Sequence, residues 1–93
     1  MSKDWLSILK ERGEAVKTMA RDVPPLLHDP AATLDQVTRL YQVLEQQAQD
    51  IEDLVAAIED DDAPEEILNA AEALEEAMSD IAAAAAKRMI ELR

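Results

Sequence analysis

The sequence predicts an all-α fold. The expected architecture is a three-helix bundle with a short first helix and a long antiparallel helix 2–helix 3 hairpin, open to dimerisation. Three observations predict it. The hydrophobic 48% of the chain is carried by Ala, Leu, Ile, Val and Met, with no Phe, one Trp and one Tyr, a mixture short of the aromatic and β-branched residues that favour strands. Apolar residues recur at heptad spacing through two long stretches. The prolines stand at two places, Pro24, Pro25 and Pro30 in one and Pro64 in the other, so they divide the chain into three segments. Residues 1–93 read as one small domain with a thin core.

Helix 1 is expected over about residues 3–22. Trp5, Ile8, Leu9, Val16, Met19, Ala20 and Val23 keep helical spacing, and Ser2 is a candidate N-cap. Gly13 lies inside it at a cost of about 1 kcal/mol relative to Ala. Pro24-Pro25 is expected to end the helix, because proline disfavours helical geometry in the residue before it. The connector then spans 23–33. Within it, Asp29-Pro30 suits a short turn, and Thr33-x-x-Gln36 is a capping-box pattern that opens the next helix.

Helix 2 is expected over about 34–60. Leu34, Val37, Tyr41, Leu44, Ala48, Ile51, Val55 and Ile58 alternate spacings of three and four, an unbroken heptad seam. Leu40 and Leu54 widen it, as in a helix with two neighbours. Asp60-Asp61-Asp62-Ala63-Pro64 reads as a turn, with Asp62 as N-cap and Glu65 at the capping-box position of the next helix. Helix 3 is expected over about 63–92, with a seam of Ile67, Ala71, Leu74, Met78, Ile81 and Ala85. The run Ala82–Ala86 combines strong helix propensity with small side chains, so it reads as a closely packed end of the bundle. A short turn between two heptad helices makes them antiparallel neighbours.

Charge carries the functional signal. The net charge is −12, and it is uneven. Residues 1–39 hold six Lys/Arg and six Asp/Glu, whereas residues 40–86 hold fourteen acids and no Lys, Arg or His. Such a field opposes binding to nucleic acid or anionic lipid and favours basic partners. Asp62, Glu65 and Glu66 complement the dipole at the start of helix 3. Glu59, Asp60 and Asp61 sit at the end of helix 2, where acids are unfavourable. Glu45, Glu52 and Glu59 form a stripe seven residues apart, and Glu65, Glu72, Glu76 and Asp80 form a second line. Selection for stability alone would intersperse lysines at i,i+4.

Other chemistry is poorly provided for. The chain has no cysteine and one histidine, His28. The serines Ser2, Ser7 and Ser79 lie away from His28 in sequence, and no glycine-rich phosphate loop occurs. Glu59 to Glu66 lacks the alternating aspartates, glycine and bidentate glutamate of a calcium loop. No enzyme activity, cofactor or dedicated metal site is expected. No segment reaches the roughly 18 apolar residues of a transmembrane helix, and the charged N-terminus lacks a signal-peptide core, so a cytoplasmic location is expected. Lys3, Lys10, Lys17 and Arg21 form a basic line suited to face the glutamates of helix 2, in the same chain or in a partner copy.

The functional expectation is a small acidic binding protein that presents carboxylates to a basic nucleic-acid-binding protein or complex, as a nucleic-acid mimic and inhibitor. In composition alone, the chain is similar to the small acidic inhibitors that phages use against restriction and CRISPR systems. The partner-binding residues expected are Glu45, Glu52, Glu59, Asp60, Asp61, Asp62, Glu65, Glu66, Glu72 and Glu76. Direct contact with nucleic acid or membrane is not expected, and a homodimer is compatible with the seams. The rival readings are an oligomeric helical assembly protein and an adaptor or chaperone for a basic client.

Overall fold

The computed structural model describes residues 4–93, so the expected Ser2 cap and the Lys3 end of the basic line lie outside the described residues. Three α-helices follow in order: α1 (Trp5–His28), α2 (Leu34–Asp60) and α3 (Glu65–Glu91). There is no strand among the described residues. The molecule is a rod of 49 × 19 × 17 Å.

Helix α1 begins after Asp4, whose carboxylate accepts from the Ser7 backbone N–H at 3.2 Å and the Ser7 hydroxyl at 2.8 Å. These bonds hold the Asp4 carboxyl below its usual pKa, the side-chain bond contributing most. The helix does not stop at Asp22. It runs through Pro24 and Pro25 to His28, 24 residues in all, so the first helix is not short. Each interior proline costs on the order of 3 kcal/mol, so the pair costs up to about 6 kcal/mol, although the fixed φ of proline is itself helical. The carbonyls left without donors belong to Ala20 and Arg21, which are exposed and open to water. Against this cost stand Val23 and Leu27, each 4% exposed. Burying two such side chains contributes roughly 3–6 kcal/mol. With Trp5, Leu9 and Val16 they form one stripe with spacings of four and seven residues, and only a continuous helix keeps Leu27 in phase with it. Ala20, one of the apolar positions at helical spacing, is exposed.

Helix α2 has the bounds expected. Its capping box is complete: Thr33 Oγ1 accepts from the Gln36 N–H at 3.2 Å, and Gln36 Oε1 accepts from the Thr33 N–H at 3.1 Å. The turn after it is organised differently from the expectation. The Asp62 N–H donates to the Glu59 carbonyl at 3.1 Å, and the Ala63 N–H reaches back to the Ile58 carbonyl at 3.4 Å. Asp62 has φ 53°, in the left-handed region. This is a Schellman motif, with Ala63 packed against the cluster that contains Ile58. Asp62 therefore closes α2 instead of capping α3. Pro64 occupies the N-cap position of α3, with no side-chain cap.

The helices run up, down and up again. Trp5 and Leu9 cluster with Val55, Ile58 and Ala71 at the turn end. Val16, Val23 and Leu27 cluster with Val37, Leu44, Ile51, Met78, Ala82 and Ala85 along the rest of the rod. Those pairings make α2 and α3 antiparallel. Helix α1 lies mainly on α3 and touches α2 only lightly. Leu44, Ile51, Ile58 and Met78 are the largest fully buried side chains. In the alanine run, Ala82 and Ala85 are buried, Ala86 is half-buried, and Ala83 and Ala84 are exposed.

Candidate functional site

The hairpin leaves a groove between α2 and α3 of ≈ 830 Å³. Its floor is Tyr41, Ala48 and Val55 from α2 and Ala82 and Ala86 from α3, and the exposed Ala83 also lines it. One wall is Glu45, Glu52 and Glu59; the other is Glu72, Glu75, Glu76 and Asp80, with Ser79 among them. No residue of α1 lines it. Two lines of carboxylates that are separate in sequence thus meet across one depression. The cause is simple: the heptad seam that buries Leu44, Ile51 and Ile58 fixes where the residues one position further on must point.

Of the ten residues expected to bind a partner, five line the groove: Glu45, Glu52, Glu59, Glu72 and Glu76. The other five, Asp60, Asp61, Asp62, Glu65 and Glu66, lie at the turn end of the rod, outside this groove. Part of that turn cluster is committed to the fold. The Trp5 indole Nε1–H donates to Asp61 Oδ2 at 2.7 Å, a charge-assisted bond that ties the start of α1 to the end of α2. Trp5 itself is 7% exposed and plugs the core. Glu65 and Glu66 occupy the first turn of α3, where they complement the helix dipole. Glu75, Ser79 and Asp80 line the groove but were absent from the expected set, Asp80 having been noted only as part of the second acidic line. The available signal was helical spacing, since Glu75 lies three residues from Glu72, and Ser79 and Asp80 lie three and four from Glu76.

The groove is uncompensated. Among the described residues the ion pairs are Arg21–Asp22 at 2.9 Å and Asp35–Arg39 at 3.0 Å, both highly exposed. Neither involves a groove carboxylate. Lys10, Lys17 and Arg21 do not meet Glu45, Glu52 or Glu59 within the chain, because α1 packs on α3. On the outer side of α2, Asp50 and Asp53 accept from Gln46 and Gln49 at 3.1 and 3.0 Å, so amides stand where cations would normally be. At the far end of the groove, the Glu45 carboxylate beside the Tyr41 hydroxyl raises the phenol pKa, chiefly by hydrogen bonding and then by desolvation and charge.

Other sites stay dispersed. No group of three or more His, Asp or Glu side chains among the described residues is placed to hold a metal ion. His28 is exposed in the last turn of α1, at the opposite end of that helix from Ser7. No helix among the described residues is long and apolar enough to cross a membrane.

Fold and site together define an acidic three-helix bundle with a carboxylate-walled groove. Compared with protein-family models, curated proteins and solved structures, the chain matches none of them.

Proposed function

We propose that this protein binds a basic site on another protein through the α2/α3 face, and that it acts there as a nucleic-acid mimic and inhibitor in the cytoplasm. One observation carries the reading: two carboxylate lines converge on one groove, and no cation is paired with either among the described residues. Each of these acids repels its neighbours in the free protein, so a basic partner relieves a cost that the fold alone bears. Steering by this field accelerates encounter and makes affinity fall with salt.

The test is affinity capture from host lysate at low salt and again at about 0.5 M, with DNA or RNA as competitor. The expected result is one nucleic-acid-binding protein, released by salt and by the competitor. Reversal of Glu52, Glu72 and Glu76 to Lys abolishes that capture while leaving helicity unchanged. Full binding by the reversed variant contradicts the proposal.

Self-association is the second reading. Leu6 is 68% exposed, and Val43, 56% exposed, sits with Ala15 and Met19 in a shallow apolar recess between α1 and α2. Such residues suit a contact between copies. The case is weaker than the sequence suggests, because the 24-residue α1 covers a hairpin seam that a shorter helix would leave open. A monomer by light scattering at micromolar concentration removes this reading.

A further inference from the structure

We infer that the occupant of the α2/α3 groove is a basic amphipathic α-helix of the partner protein. This rests on the basic-partner reading and adds the partner's shape. The register of the groove residues points to a helix. On α2 the half-buried floor positions Tyr41 and Ala48 and the buried Val55 repeat every seven residues, and each is followed four residues later by a wall carboxylate, Glu45, Glu52 or Glu59. An apolar line flanked by a charged line at this offset is what one helix presents to a helical neighbour. Core positions receive the neighbour's side chains, and the flanking charges select its sign.

The opposite bank carries small side chains, the buried Ala82, the half-buried Ala86 and the exposed Ala83, and small side chains shorten the distance between packed helices. From Tyr41 to Val55 the floor spans about 21 Å at 1.5 Å per residue, roughly four turns of a docked helix. A helix with Lys or Arg at seven-residue intervals along both flanks meets both walls while its apolar stripe covers the floor. An extended polycation meets the walls but leaves the accessible parts of Tyr41, Ala48 and Ala86 in water.

A second copy of this chain is a poorer occupant. Its hairpin face carries the same sign, its basic line Lys10, Lys17 and Arg21 has Glu14 beside it, and two molecules of net charge −12 repel on approach. The arrangement also gives the mimic reading a physical form. The DNA major groove likewise admits an α-helix between two rows of negative charge.

The experiment uses two synthetic peptides of identical composition. One carries Leu at core and Lys at flanking heptad positions; the other is scrambled. Affinities are measured by fluorescence anisotropy at low and high salt, and helicity by circular dichroism. The patterned peptide is expected to bind roughly tenfold more tightly and to gain helix on binding. Ala86→Trp and the exposed Ala83→Leu fill the floor, so each should remove that preference without weakening the scrambled peptide. Equal affinities that ignore the floor variants overturn the helix inference and leave the basic-partner reading intact. Failure of both peptides to bind at low salt overturns both. A dimer that disperses on Ala86→Trp and excludes the patterned peptide assigns the groove to a second copy, which also overturns the inference.

Discussion

Asp62 shows how much one residue's backbone geometry settles. Its φ of 53° closes α2, a position where glycine is preferred because a Cβ costs roughly 1–2 kcal/mol there. Asp62→Gly is therefore expected to stabilise the protein by about 1 kcal/mol. Asp62→Val should destabilise it, since a β-branched residue fits this region worst. Thermal denaturation of both variants checks the pair, and a stabilised valine variant contradicts the assignment. Tyr41 offers a second test at this scale. Its pKa is raised above 10.0, first by the Glu45 hydrogen bond. A folded pKa above the unfolded one means stability that is complete below about pH 10 and is lost as pH rises through the folded value. The single tyrosine should titrate above the free phenol in ultraviolet absorbance, and Glu45→Gln should bring it back toward 10.0. An unchanged midpoint in the variant places the cause elsewhere.

At the scale of the element, α1 is the informative case. Its last turn lies beyond two prolines, and packing holds it there. Leu27→Ala is expected to cost about 2–5 kcal/mol in chemical denaturation. Its neighbour Leu26, 57% exposed, should lose no more than about 0.5 kcal/mol on the same change. Equal effects mean that the helix does not continue to His28 as a packed element. The contrast matters for function because α1 covers one side of the hairpin and so leaves the α2/α3 groove as the acidic face available to a partner. The Trp5–Asp61 bond fixes the other end of α1. One acid of the turn cluster is thereby a structural anchor, and the partner-binding proposal loses nothing if Asp61 contributes only to the fold.

For the whole molecule, charge and stability oppose each other. Residues 40–86 carry fourteen acids without a cation, and the fold gathers several on two facing banks. Their mutual repulsion is long-ranged at low salt and screened within about 8 Å at physiological ionic strength. The wild-type melting temperature should rise with added salt. Glu72→Gln with Glu76→Gln should increase stability by a few tenths of a kcal/mol, the size of i,i+4 like-charge terms, and flatten the salt dependence of the melting temperature. The same double variant should weaken partner capture. A melting temperature indifferent to salt in both proteins contradicts the repulsion on which the proposed function rests.

Local signals in the chain specify three helices and their seams. Alternating spacings of three and four, the Thr33–Gln36 capping box and the long unbroken apolar stripes are local signals, and the bounds of α2 follow from them directly. The two carboxylate lines were visible as well, since residues seven apart on a helix must share a face. Packing in three dimensions carries α1 through Pro24 and Pro25, makes Asp62 end one helix instead of starting the next, and sets Glu45, Glu52 and Glu59 opposite Glu72, Glu75, Glu76 and Asp80 while the turn acids stay outside. Each of these depends on burying Val23, Leu27, Ile58 or Ala63 against residues far along the chain. The free energy of that burial belongs to the assembled bundle, and no local propensity encodes it.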